Sequence, residues 1–302
     1  MKKIVITGSN GLLGQKLVKL FKPKTEFQIH AISRGENRLT NHDGYNYYDL
    51  DLLNKEDLLI LLNQIKPDII IHTAAMTNVD ACELYQEECD QMNIEVVKNI
   101  LSYCDNRDVY LVHLSTDFIF DGEKGGIYKE NDIPRPVNHY GLSKLKSEKL
   151  IQASNVPHAI LRTILVFGLV DRNDRSNIVL WVKKSLENNE EIRVVTDQLR
   201  MPTYAEDLAE ACLLAIKSKA YGVFNVSSNE LMSIYDIAIA VANSFDLDHN
   251  LIHPVVTDAL SLPANRPLST GFDLNKSITE INLPSYSFKE RLQVFKNQLA
   301  SM

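Results

Sequence analysis

The chain has 302 residues, which suits one large α/β unit or two fused domains. It is 45% hydrophobic and 24% charged, the balance of an ordinary globular protein, and no apolar run reaches the roughly 18 residues of a membrane span. A net charge of -7 with no basic run excludes a broad nucleic-acid surface. Cys82, Cys89, Cys104 and Cys212 show neither a CxxC pair nor a metal-ligand spacing, so they read as reduced thiols of a cytoplasmic protein.

The first segment, "MKKIVITGSNG", starts like a secretory leader. Its apolar core is too short and runs directly into glycines, so a buried first strand is expected. That strand ends in "TGSNGLLG", and "LLGQKLVKLF" continues as a helix. Gly8, Gly11 and Gly14, three apart between a strand and a helix, permit a tight turn and close approach of a pyrophosphate to helix N–H groups. The candidate cradle comprises Gly8, Asn10, Gly11, Leu12, Leu13 and Gly14.

A second strand, "FQIHAIS", leads into "RGENR". No acid occurs between His30 and Gly35 to take a ribose 2′-hydroxyl. Ser33 and Arg34, with Arg38 assisting, suit a 2′-phosphate, so NADP(H) is expected. In "DLDLLN", Asp51 and Leu52 offer an acceptor and an aliphatic wall to an adenine. The helix "KEDLLILLNQI" stops at a proline that opens the strand "PDIIIHTAA". Its small terminal residues, Ala74 and Ala75, leave room for a cofactor.

Next come the helix "QMNIEVVKNILSYC", the strand "VYLVHLST", the helix "YGLSKLKSEKLIQAS" and the strand "HAILRTILVFG". Apolar strands alternating with helices predict a doubly wound parallel sheet, with the ligand beyond the strands' carboxyl ends. After about residue 170 the rhythm loosens. "DRNDRSN" is a polar loop, a helix carries Trp181, "YGVFNVSS" is one more strand, and residues 253–276 are rich in proline and polar residues. The expected division is a cofactor domain over 1–170 and a mainly substrate-binding lobe over 171–302, with a segment near 221–228 returning to the sheet.

The only Tyr-x-x-x-Lys is Tyr140 and Lys144. Composition alone yields about one such spacing by chance, so its company must decide its meaning. At i and i+4 the two side chains share a helix face. A free tyrosine, with a pKa of about 10, exchanges protons poorly at pH 7, and a nearby ammonium favours its phenolate.

These residues together resemble the extended short-chain dehydrogenase/reductase superfamily, whose Rossmann glycine motif TGxxGxxG is matched from Thr7 to Gly14. The resemblance implies catalytic roles for Thr116, Tyr140 and Lys144, with Asn93 in support, and cofactor contacts for Tyr140 and Lys144. The stretches "AAMTNVDACE", "STDFIFDG", "YKENDIPRPVNHYGLSKLKSE", "LRTILVFG", "DQLRMPTYAEDLA" and "NRPLSTGFD" resemble the dTDP-4-dehydrorhamnose reductase family over nearly the whole chain. That family reduces a nucleotide-linked 4-keto-6-deoxy sugar with NADPH. The resemblance implies a substrate site at Thr77, Val79, Asp80, Phe118 and Arg266, with Arg266 near the diphosphate. Phe118 stands where the family has tyrosine and Leu165 where it has tryptophan, so the exact sugar is open. Some members dimerise around magnesium; here Gln15 and Lys16 occupy that turn, so no metal is expected and a homodimer is left open. An epimerase with retained NAD and a non-catalytic regulatory subunit are the alternative readings.

Overall fold

The computed structural model describes residues 1–172 and 177–301. The first half contains β1 (Lys2–Thr7), α1 (Leu12–Phe21), β2 (Phe27–Ser33), β3 (Asn46–Asp49), α2 (Lys55–Ile65) and β4 (Ile69–His72). A broken helical run follows: α3 (Val79–Leu84), α4 (Gln86–Asp90), a π-helical turn (Gln91–Glu95) and α5 (Val96–Cys104). Then come β5 (Tyr110–Thr116), β6 (Gly126–Tyr128), α6 (His139–Gln152), β7 (His158–Thr163) and β8 (Val166–Phe167). Beyond residue 177 lie α7 (Ile178–Glu187), β9 (Ile192–Val195), β10 (Leu199–Arg200), β11 (Thr203–Tyr204), α8 (Ala205–Ser218) and β12 (Gly222–Val226). The chain closes with β13 (Met232–Ser233), α9 (Ile234–Ser244), β14 (Ile252–Val255), β15 (Thr270–Phe272), α10 (Asn275–Ile281) and α11 (Phe288–Ala300).

Seven strands form one parallel sheet in the order β12-β7-β5-β4-β1-β2-β3. The chain winds outward from β1 in one direction and from β4 in the other. The crevice beyond their carboxyl ends is therefore the topological switch point where such sheets bind ligands. Alternate residues of each strand feed two cores. Ile4, Ile6 and Ile71 pack with Leu17, Phe21, Leu208 and Cys212 of α1 and α8. Val5, Ile70 and Ile160 pack with Leu62, Val97 and Ile100 of α2 and α5. Burial on both faces is why the strands read as unbroken apolar runs rather than as alternation.

A third core, with Phe167, Val182, Ile237, Val241, Phe288 and Phe295, gathers α7, α9 and α11 around the parallel pair β9–β14. A small fourth core, with Ile119, Phe120, Ile164, Met201 and Phe272, underlies the cleft. Two predicted elements differ in detail. The run "HAILRTILVFG" breaks after Thr163, because Leu165 takes φ 41. The proline-rich tract 253–276 contains most of β14 and all of β15. β3 escaped the sequence reading; it is a four-residue edge strand without an apolar pattern. Residues 173–176 of the expected polar loop lie outside the described residues.

Candidate active site

β1 enters a tight turn at once. Gly8 takes φ +70, which side chains rarely adopt, and a Cβ there would stand 2.7 Å from Ala74 N. A Cβ on Gly14 would stand 2.3 Å from Gly8 O. α1 starts at Leu12 with no side-chain cap and no acid in its first turn. Its first N–H groups are thus left to meet an anion in the crevice. A cavity of about 210 Å³ runs from Gly8, Asn10 and Gly11 past Ser33, Arg34 and Arg38 to Asp51 and Leu52, over Ala74 and Ala75. The expected cradle and adenosine residues therefore share one wall. Met92 and Leu50 join them unforeseen.

Asn10 lines this cavity and also braces its edge. Its buried side chain donates to Glu36 O at 2.9 Å, Tyr47 Oη at 3.0 Å and Arg34 O at 3.3 Å, and accepts from Arg38 N at 2.9 Å. It pins the loop that carries both arginines. Arg34 itself extends into solvent, with Nη1 3.6 Å from Asp51 Oδ2.

β5 delivers Thr116 and α6 delivers Tyr140 and Lys144. Asn138 caps α6 by accepting from Gly141 N at 2.8 Å, and donates to Asn265 O at 2.7 Å. Gly141 allows the helix to touch the turn after β5: a Cβ there would lie 2.0 Å from Phe118 O. The Phe118 ring meets Tyr140 edge-on at 5.9 Å. Burial raises the Tyr140 phenol above its usual range, and its hydrogen bond with Thr116 opposes that. Thr116 Oγ1 also donates to Asp117 Oδ1 at 3.1 Å and accepts from Phe118 N at 3.2 Å.

Burial lowers the Lys144 ammonium to about 8, against the pull of Glu148. Glu148 is anchored in turn by Arg162, at 3.0 Å to Nε and 2.7 Å to Nη2, which fixes α6 to β7. Asn93 lies buried in the π-helical turn. It accepts from Met76 N at 2.9 Å and donates to Met76 O at 3.1 Å and Ser143 Oγ at 2.9 Å. It holds the loop after β4 against α6 and makes no hydrogen bond to Tyr140 or Lys144.

A larger cavity of about 540 Å³ continues from Gly11–Gly14 and Ala74–Ala75 past Lys144, Tyr140 and Thr116 to Thr77, Val79, Phe118, Leu165 and Arg266. The two cavities share Gly11, Thr73, Ala74 and Ala75, so one elongated ligand could pass through both. Asp80 stands behind this wall. It grips Arg266 with both carboxylate oxygens, at 3.1 Å to Nη1 and 2.7 Å to Nη2, and that guanidinium holds its carboxyl below the usual range.

Sequence reasoning missed Gln198 and Arg200 on the cavity wall. Arg200 is buried, donates to Pro267 O at 2.7 Å, and places Nε 3.4 Å from Asp117 Oδ2. Thr270 donates to the same Asp117 oxygen at 2.5 Å. Burial pushes the Asp117 carboxyl up while Arg200 pulls it down. Only the stretch "DQLRMP" carried a signal for these residues. On the opposite side of α1, Lys16 pairs with Glu206 at 2.7 Å, and Gln15 accepts from Asp171 N at 2.9 Å. Among the described residues no three His, Cys, Asp or Glu side chains converge on a metal site.

Three similarities accompany this geometry. The dTDP-4-dehydrorhamnose reductase of Aggregatibacter actinomycetemcomitans is 31% identical over 91% of this chain and 92% of its own. The methionine adenosyltransferase 2 subunit beta of Bos taurus is 29% identical over 91% of this chain and 81% of its own. The crystal structure of dTDP-4-dehydrorhamnose reductase from Bacillus anthracis in complex with NADP superposes with a TM-score of 0.86 and 29% identity, covering 99% of this chain and 100% of that one. The family model described as "RmlD substrate binding domain" matches residues 1–301, so the chain belongs to that family, within the extended short-chain dehydrogenases/reductases.

Proposed function

We propose that the protein reduces the 4-keto group of a nucleotide-linked 6-deoxy sugar, with NADPH as reductant and Tyr140 as proton donor. Membership of the family makes the chain an NADPH-dependent oxidoreductase. The finer reading rests on one observation: Thr116, Tyr140 and Lys144 line one cavity, the one that also reaches the glycine turn and Arg266. The glycine turn, the uncapped start of α1 and the Arg34–Arg38 loop fit a dinucleotide with a 2′-phosphate, which would supply the hydride. Thr116 and Tyr140 hold the sugar's carbonyl oxygen between two hydroxyls. A phenol kept protonated by burial is in the state a general acid needs, and the Lys144 ammonium favours the phenolate left behind.

The lobe built on α7, α9 and α11, with Arg266 at its border, is proposed to bind the nucleotide portion. Phe118 follows Asp117 where an elimination would want a second free acid, and Asp117 is itself engaged by Arg200 and Thr270. Both features favour reduction over dehydration. In the expected experiment Tyr140→Phe retains NADPH binding but lowers turnover about 10²–10⁴-fold on a nucleotide 4-keto-6-deoxy sugar. NADPH bound by the parent protein with no keto-sugar reduced would instead support a regulatory subunit. Turnover unchanged by Tyr140→Phe would remove Tyr140 from the chemistry.

A further inference from the structure

Lys144 has an unexpected neighbour. Its Nζ lies 3.2 Å from His113 Nε2, and both side chains are buried. His113 belongs to a polar row laid across the centre of the sheet. Thr7, His72 and His113 occupy matching registers of β1, β4 and β5. His72 Nδ1 is 2.7 Å from Thr7 Oγ1, and the two imidazoles stack at 5.4 Å. An ammonium can only donate, so toward charged Lys144 the His113 Nε2 must accept and the ring proton sits on Nδ1. The groups of Asn93 are used elsewhere. Its side chain binds Met76 and Ser143, and its carbonyl accepts from Ser147 Oγ at 2.6 Å.

We propose that His113 is a positioning residue for the reaction: a neutral buried acceptor that aims the Lys144 ammonium at Tyr140. The proposal rests on the roles given to Tyr140 and Lys144 above. A carboxylate in this place would raise the lysine's proton affinity and draw its charge away from the phenol. A neutral imidazole satisfies one ammonium proton and leaves the charge to act on Tyr140. The histidine suits this task because burial and the neighbouring Lys144 hold it well below the usual imidazole range. His72 beneath it is driven down to about 3 by the same two causes. The other titratable groups around Lys144 are Glu148 on its own helix, tied to Arg162 of β7, and Cys89 of α4. His158 of β7 also acts on His113. Glu148 is the one carboxylate among them and is paired with Arg162, while the Cys89 thiol, lowered to about 7 chiefly by its hydrogen bond with Cys82, adds a weaker pull on the ammonium.

The test compares His113→Phe with His113→Gln, which restores an acceptor through its amide oxygen. His113→Phe should lower kcat roughly 10–100-fold, the worth of a hydrogen bond to a charged group. It should also move the alkaline limb of kcat to lower pH by roughly one unit, because an ammonium left without an acceptor releases its proton sooner. His113→Gln should recover most of both. Independently of turnover, NMR of isotope-labelled lysine in the cofactor-free protein, assigned with Lys144→Met, should show the Lys144 titration falling in His113→Phe and returning in His113→Gln. His113→Met serves the same comparison if the phenylalanine variant does not fold. An unchanged alkaline limb and an unchanged Lys144 titration would overturn the proposal. If Tyr140→Phe proves fully active, the proton-donor reading fails while the lysine titration still decides the role of His113.

Discussion

Arg34 and Asn10 divide one task between them. Asn10 spends every polar atom of its side chain on the loop from Arg34 to Arg38, so the arginines are presented by a fixed backbone while their own side chains stay free to reach a ligand. The loose contact of Arg34 with Asp51, both exposed, adds little to stability and leaves the guanidinium available. A charge-assisted hydrogen bond to a 2′-phosphate is worth about 1.5–3 kcal/mol, so Arg34→Ala should weaken NADPH binding roughly 10–150-fold and NADH binding hardly at all. Fluorescence titration with both cofactors checks this; equal losses would mean that Arg34 does not read the phosphate. The arginine's place was visible in the sequence because it follows β2 directly. The role of Asn10 was not, since its partners lie 24 to 37 residues away and residue type alone does not reveal which groups a buried amide satisfies.

At the scale of elements, α6 and the turn after β5 form a single device. Asn138 fixes where α6 begins, Gly141 lets it touch Phe118 O, and the Arg162–Glu148 pair fixes its far end to β7. The helix was legible from its tyrosine–lysine spacing and its place between two apolar strands, whereas its closeness to the turn was not. A glycine directly after the tyrosine of the Tyr-x-x-x-Lys pair reads equally well as an ordinary helix residue until the opposing carbonyl is known. Gly141→Ala must push the helix from the turn, because a methyl cannot sit 2.0 Å from an oxygen. Overpacking of this kind costs about 1–3 kcal/mol of stability. Displacing Tyr140 from Thr116 by even about 1 Å should cost about 10²-fold in turnover. Denaturant unfolding and steady-state rates measured on the same variant separate the two effects. A variant that keeps full turnover would show that the contact does not set the tyrosine's position. The broken helix from α3 to α5 follows the same logic, since Asn93 in its π-helical turn ties the floor of the cofactor cleft to α6.

Across the whole molecule, the sheet was readable because strands buried on both faces must be continuously apolar, and the glycine turn announced the switch point. A smaller C-terminal part was expected, but its strands were not, because they are two to four residues long and its core draws on segments from Phe167 to Phe295. Among the contacts that cross between the two parts at the cleft is the pair Asp80–Arg266, with Ala264 N also donating to Asp80 at 3.2 Å. Asp80 lies on α3 of the sheet-bearing half and Arg266 on the loop before β15. The expected substrate residues therefore first meet each other. Asp80 takes two donors of the guanidinium fork and holds it at the rim of the 540 Å³ cavity, poised rather than free. A diphosphate arriving there finds a guanidinium already oriented, so less side-chain freedom is lost on binding. Binding energy gained so far from the reacting carbon can press the carbonyl against Thr116 and Tyr140, which raises turnover as well as affinity. Arg266→Ala should therefore lower kcat/KM for a nucleotide-linked keto-sugar roughly 10–150-fold, the worth of about 1.5–3 kcal/mol, and leave the slow rate on the free sugar and the affinity for NADPH unchanged. Measured on both sugars, equal losses would mean that Arg266 supports the fold of the cleft rather than the diphosphate, and no loss on either would place the nucleotide elsewhere in the second lobe.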